Sequence, residues 1–300
     1  MALARPADSF EIDVTLVQRL IADQFPALRD LPIEPVLPGG WDNRTFRLGD
    51  ALSVRLPSSA AYAAQAGKEA AWLPRLASHL PVSIPEIVGL GRPTKAFPYA
   101  WSIRRWIDGV SLNPDAALSP RLAAELARTL AALHRIDPAG GPVAGVHSFH
   151  RGGDLGAYDS ETARALERLE GQVQVASLRA IWAAARATRW QRPGVFVHGD
   201  VAPGNLLVRD GALAAIIDFG QLAVGDPACD LAIGWTSMDA ATRADFLSAT
   251  GLDADTTARG RGWALWKAAI VAAGLPGTDP KNRDRAMLTL AAITGDTDTP

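Results

Sequence analysis

The chain has 300 residues, 48% hydrophobic and 21% charged, which suits a globular protein with room for two lobes around a cleft or one large domain. A net charge of −2 offers no basic excess for nucleic acid, and no apolar run reaches the length of a bilayer span. The single cysteine, Cys229, excludes an internal disulfide and a multi-cysteine metal site. The opening MALARPADSF lacks the charged-then-apolar pattern of a signal peptide, so the expected location is the cytoplasm.

In chain order, residues 9–24 read as a helix with Ser9 as N-cap and Ile12, Leu16 and Leu20 on one stripe. Pro26, Pro32 and Pro35 then break the chain. Residues 45–48 and 52–56 alternate in polarity and join through Gly49-Asp50, which predicts a hairpin. Arg55, between Val54 and Leu56, points off the apolar face. Kinases place a lysine on such a strand, where it meets the α- and β-phosphates and pairs with a helix glutamate. Here the residue is arginine, which keeps the charge but changes length and geometry. Its expected partner is Glu69, in a helix over about 62–76, with Lys68 facing elsewhere. Residues 82–88 offer a strand entry, and AWSIRRWI (100–107) reads as a strand ending at Asp108-Gly109.

Residues 118–135 form the clearest helix, with Ser119 as cap, Pro120 in the first turn, and Leu122, Leu126, Leu130 and Leu133 on one face. His134 near its end reads as a capping or core-edge histidine. Residues 138–156 are a glycine-rich loop in which His150 and Arg151 either serve the loop or face a substrate. Helices follow over 160–169 and 176–190.

The stretch 195–220 reads VFVHGDVAPGNLLVRDGALAAIIDFG. Two apolar runs joined at Arg209-Asp210-Gly211 predict a second hairpin. Asp200, Asn205 and Asp218 sit at strand ends, where a sheet can present them to a cleft. An Asp, an Asn five residues on, and a second Asp before Phe-Gly match the kit of phosphoryl transfer. One carboxylate is needed near the attacking hydroxyl, and oxygen ligands are needed for Mg²⁺. Each residue alone could simply cap a turn; the ordered set points to chemistry. Gly-x-Ser-x-Gly is absent, which leaves no serine-hydrolase reading. Downstream, helices are expected over 239–250 (stopped at Gly251), 261–273 (Trp263, Trp266 and Ile270 on one side) and 281–294, with an acidic mobile tail, GDTDTP.

HGDVAPGN, IIDFG and GDPACDLA together resemble the aminoglycoside phosphotransferase family of kinase-like enzymes, with His198-Gly199-Asp200 standing where protein kinases write His-Arg-Asp. The resemblance covers most of the chain. It implies an α+β, bilobal protein-kinase-like fold: an N-terminal antiparallel sheet lobe over 1–106 binding nucleotide, and a larger, mainly helical C-terminal lobe over 107–300 for catalysis and acceptor binding. Within it Asp200 is the catalytic residue, and Asn205 and Asp218 are the metal ligands. Gly39, Gly40 and Asn43 look like the family's glycine loop, with Trp41 covering the site or packing. Arg55 and Glu69 serve the phosphates, and Arg105, Trp106 and Ile107 supply backbone groups to adenine. His198 supports the catalytic loop, Asp230 braces it from the core, and Asp226 caps a turn or helix.

The expected reaction moves the γ-phosphate of ATP, with GTP not excluded, to a hydroxyl of a small molecule with Mg²⁺ bound. The acceptor is aminoglycoside-like by resemblance, which would mean antibiotic resistance. The C-terminal half carries no dense acidic cluster for a polycation, so macrolide, choline, homoserine and sugar types stand as alternatives. A nucleotide-binding pseudokinase module is a further alternative, supported by the arginine at 55. A protein kinase is disfavoured because little room follows Asp218-Phe219-Gly220 for an activation loop.

Overall fold

The computed structural model describes residues 11–37, 39, 40 and 42–295. The chain divides into two compact units. The first comprises Met1–Ser78, Ser83–Asp108 and Ile216–Gly220; the second comprises His79–Val82, Gly109–Ala215 and Gln221–Pro300. The short segment carrying Asp218 thus packs with the first unit although it is distant in sequence.

The first unit holds helix α1 (Val14–Gln24), strands β1 (Ile33–Pro35), β2 (Asn43–Leu48) and β3 (Leu52–Pro57), helix α2 (Gln65–Ala77), and strands β4 (Ile87–Gly91) and β5 (Trp101–Arg105). The strands form one antiparallel sheet in the order β1-β2-β3-β5-β4. Strand alternation sorts its two faces. Phe46, Leu48, Val54, Leu56, Trp101 and Ile103 join Leu16, Val17, Leu20 and Ile21 of α1 in one buried core. Ser53, Arg55, Ser102 and Arg104 occupy the opposite face, and they too are buried. The helix α1 begins later than expected: Asp13 caps it by accepting from the Leu16 N–H at 2.8 Å. Ser9, the expected cap, lies outside the described residues, as do Trp41 and the tail beyond Gly295. Gly91 faces Trp101 across the β4–β5 ladder, and a Cβ there would fall 2.0 Å from the indole.

The second unit holds β6 (Val110–Ser111), α3 (Pro120–His134), α4 (Asp159–Arg168), α5 (Val175–Ala187), β7 (Val195–Val197), β8 (Leu206–Arg209), β9 (Ala212–Ile216), β10 (Ala223–Gly225), α6 (Ile233–Ser237), α7 (Ala240–Thr250), α8 (Ala254–Ala272) and α9 (Arg283–Gly295). Ser119 caps α3 as its sequence predicts, accepting from the Leu122 N–H. The β8–β9 hairpin turns through Asp210 and Gly211, both at positive φ (52° and 72°), a geometry that favours Asp-Gly. β7 pairs antiparallel with β10, and β6-β8-β9 form a small sheet.

Helix α8 starts seven residues before the expected 261. Gly260 and Gly262 weaken helix propensity. They are retained because a Cβ on Gly260 would sit 2.7 Å from Leu231 and one on Gly262 2.7 Å from Ala185. The glycines exchange propensity for close packing, and α8 places Trp263 and Trp266 in a core with Leu155, Ala185, Val197, Ala228 and Cys229. Among the described residues no helix is long and apolar enough to cross a membrane.

Candidate active site

In the first unit, the polar face of the sheet builds an ion cluster. Arg55 of β3 faces Ser102 across the ladder and Arg104 faces Ser53, so the two arginines are diagonal neighbours on one face. Both reach Glu69 of α2, which is fully buried. Arg104 Nη1 and Nη2 donate to Glu69 Oε1 and Oε2 at 3.3 and 2.5 Å, and Arg55 Nη1 lies 3.5 Å from Oε1. Arg55 Nη2 also donates to Asp218 Oδ1. Two cations therefore meet two carboxylates, which satisfies the rule that buried charges must be paired.

Burial alone would lower the Arg55 pKa, but Asp218 and Glu69 outweigh it and hold the value above the usual arginine range. Burial instead dominates at Arg104, whose pKa is lowered, with Arg55 adding to the effect. Asp218 sits at a φ of 67°, in the left-handed region uncommon for non-glycine residues. Asn43 is buried against the same group: with its Oδ1 toward the guanidinium it accepts from Arg55 Nη2 at 2.7 Å and Nε at 3.1 Å.

The other first-unit positions are placed as follows. Gly39 has open space around its Cα, whereas a Cβ on Gly40 would lie 3.1 Å from the Asn43 carbonyl. Arg105 ends β5 with an exposed side chain; its N–H donates to the Glu86 carbonyl and its Nε to the Glu86 carboxylate, both at 2.9 Å. The Trp106 N–H donates to the Ala51 carbonyl at 2.8 Å, and Arg47 stacks 4.0 Å over the Trp106 ring. Ile107 is half-buried.

In the second unit, the loop after β7 carries Asp200. Asp230, fully buried, accepts from the His198 N–H at 2.9 Å and the Gly199 N–H at 2.8 Å. Gly199 turns at a φ of 84°, and a Cβ there would approach the Gln221 carbonyl to 2.7 Å. The Asp200 N–H lies 3.2 Å from His198 Nδ1, within hydrogen-bond distance. Asn205 Nδ2 donates to the Asp200 carbonyl at 2.8 Å, leaving its Oδ1 as the ligand-capable atom. Asp226 caps the Ala228 N–H at 3.0 Å and pairs with Arg259 at 2.6 Å.

Asp200 lines a cavity of about 240 Å³ enclosed by the Asp200 loop and helices α6, α8 and α9. Lys267 of α8 sets its Nζ 3.2 Å from Asp200 Oδ1. Burial alone would raise the Asp200 pKa, but Lys267, Arg151 and His198 bring it below the ordinary carboxylate value. The carboxylate is therefore ionised at neutral pH, as a proton acceptor must be. Burial raises the Cys229 thiol well above its usual value, so this cavity-lining sulfur is held as a thiol.

Two neighbours of the candidate residues escape a reading by motif. Arg104 stands beside Arg105 in sequence, and only strand parity, Ser102 with Arg104, distinguishes the buried arginine from the exposed one. Lys267 lies 67 residues from Asp200; the available signal is its position four residues after Trp263, on the same helix face.

The model of the phosphotransferase enzyme family (APH) matches residues 34–284. Among solved structures, the GDP complex of wild-type aminoglycoside 2'-phosphotransferase-IIIa is similar at 21% identity with a TM-score of 0.69, over 95% of this chain and 100% of that one. Macrolide 2'-phosphotransferase MphH from Brachybacterium faecium is similar at 24% identity with a TM-score of 0.61, over 92% and 98%. The streptomycin–ATP ternary complex of APH(2")-IIa is similar at 17% identity with a TM-score of 0.59, over 95% and 97%. No curated protein sequence matches. The structural likeness supports the kinase-like α+β fold expected from the motifs, and the family match spans most of the chain. This chain belongs to the phosphotransferase enzyme family.

Proposed function

We propose that the chain is an ATP-dependent kinase of a hydroxylated small molecule, with Asp200 as the group that receives the acceptor's proton. The observation that carries this reading is Asp200 itself: a carboxylate held below its usual pKa, on a braced loop, lining a cavity. In the reaction the acceptor oxygen bonds to the γ-phosphorus. The bond from phosphorus to the bridging oxygen breaks, and ADP leaves with that electron pair. Asp200 orients the hydroxyl and takes its proton, and the remainder of the catalysis is positioning and charge neutralisation.

Asp218 and Asn205 supply one carboxylate and one amide oxygen, a hard donor set that suits Mg²⁺. Bound Mg²⁺ would neutralise charge on the phosphate oxygens. Arg55, oriented by Glu69, would hold the α- and β-phosphates in place of the usual lysine. Gly39, Gly40 and Asn43 are assigned to the phosphate-side loop. The segment 105–107 is assigned to the base; the N–H groups of Arg105 and Trp106 are spent inside the first unit, so those two residues would offer carbonyls.

The test is ADP release with Mg-ATP over a panel of aminoglycosides, macrolides and small metabolic alcohols. Asp200→Ala and Asp218→Ala should abolish acceptor-dependent turnover while the circular dichroism stays native. Wild-type rates in both variants refute the assignment. One observation favours a second reading, a nucleotide-binding module without turnover: Asp218 is already engaged by Arg55. Tight Mg-ATP binding with neither transfer nor slow ATP hydrolysis would decide for it.

A further inference from the structure

The cavity beside Asp200 has a lining whose charge is opposite to what a polycation needs. Three cations face it, Arg151, Lys267 and Arg285, and Asp200 is its sole acidic lining residue among those described. Arg285 comes from α9 and carries partial compensation outside the lining, 3.3 Å from the exposed Asp115. Lys267 is paired with Asp200 at 3.2 Å. Arg151 is buried, with only 9% exposed, and among the described residues no carboxylate forms an ion pair with it. Its Nη1 has no hydrogen-bond partner among the described residues. The guanidinium rests over aromatic rings instead, 4.5 Å from the Trp266 centroid and 5.0 Å from that of Trp263. The Trp266 indole is fixed by donation to Glu161 at 2.8 Å. Cation–π contact offsets part of the burial cost of a guanidinium, and an adjacent anion offsets more.

From this lining, and resting on the phosphotransferase reading above, we propose that the acceptor is an anionic hydroxy compound with a flat apolar body, a hydroxylated carboxylate rather than an aminoglycoside. The body packs against the apolar lining at Ala202, Ala232 and Val271, the carboxylate meets the field of Arg151, Lys267 and Arg285, and the hydroxyl is left for Asp200. A compound with several ammonium groups is disfavoured in the same place, because it meets three cations for one carboxylate. The step is unchanged: the hydroxyl oxygen gains the γ-phosphorus, ADP leaves, and the proton goes to Asp200.

The test uses three probes of one shape on the full chain: 4-(hydroxymethyl)benzoate, 4-(hydroxymethyl)benzamide and 4-(hydroxymethyl)benzylamine. Calorimetric titration without nucleotide should give the benzoate at least tenfold tighter binding than the amide, with the amine weakest. Lys267→Gln should lower the benzoate-to-amide ratio severalfold and, by releasing Asp200, strengthen the amine. Arg285→Gln on the neighbouring helix should lower the same ratio and strengthen the amine less than Lys267→Gln does, because the Lys267–Asp200 pair stays intact. Equal affinities, a preference for the amine, or no measurable benzoate binding overturns the proposal. ADP release with Mg-ATP is read separately. Turnover of aminoglycosides in preference to the benzoate overturns the anionic acceptor and leaves the kinase reading standing. A benzoate preference in a chain that neither binds Mg-ATP nor releases ADP supports the lining argument and removes the kinase reading.

Discussion

Lys267 Nζ stands 3.2 Å from Asp200 Oδ1, and this pair couples helix α8 to the proposed proton acceptor. Cations favour the ionised carboxylate, so Lys267 depresses the Asp200 pKa against the opposing effect of burial. Replacing Lys267 by Met removes the largest lowering influence and lets burial act, so the Asp200 pKa rises. Because the basic form of Asp200 is required, activity falls as pH drops through that pKa. The acid limb of the kcat/KM profile should therefore move to higher pH in Lys267→Met, while Lys267→Arg keeps it near the wild-type position. A limb that stays put in the Met variant would show that Asp200 is not the titrating group.

Glu69 is the hinge of the first-unit cluster. It is fully buried and answers both Arg55 and Arg104. Glu69→Gln removes the carboxylate that both buried guanidiniums share, and uncompensated buried charge of this kind costs about 3–5 kcal/mol. Urea denaturation should show a loss of that order. Arg104→Met in the Glu69→Gln background should recover part of it, since it removes one of the two excess cations. Strict additivity of the two losses would mean the residues do not share one cluster.

The parts of this site that follow from local rules are legible in the chain. Asp-Gly marks the turn between β8 and β9, alternation sorts Arg55 from Val54 and Leu56, and the spacing of Asp200, Asn205 and Asp218 is the pattern on which the proposed reaction rests. What escapes depends on tertiary choices. Arg104 and Arg105 are equivalent until the register of β5 on β3 puts one inward, against Glu69. Lys267 acquires a role only when α8 is laid beside the Asp200 loop. The start of α8 is hidden because glycine is disfavoured in helices in general, and only contact with Leu231 and Ala185 explains Gly260 and Gly262.

Asp230 holds the Asp200 loop with two hydrogen bonds, one from the N–H of His198 and one from that of Gly199. Asp230→Asn keeps the shape but offers a single acceptor oxygen, so one buried N–H loses its partner, at a cost of about 1–3 kcal/mol. The His198–Asp200 turn should loosen, and kcat should fall more than KM rises, because the loop orients the proton acceptor rather than binding nucleotide. Unchanged kcat alongside reduced stability would restrict Asp230 to a structural role.

Lys68, in α2 beside Glu69, is a further group whose titration the fold shifts. Burial lowers its pKa from the ordinary 10.5 to about 8, against a smaller opposing influence from Glu69. The unfolded chain therefore binds more protons than the folded one between those values, so this group makes stability rise as pH increases from about 8 to 10.5. Below about 8 the folded state carries the full cost of the buried ammonium. Lys68→Met should raise the urea midpoint at pH 7, and its advantage over wild type should shrink as pH is raised through the same window. The comparison between the two proteins at each pH cancels the other groups that titrate there. An advantage independent of pH would assign the gain to added apolar burial and not to the lysine charge.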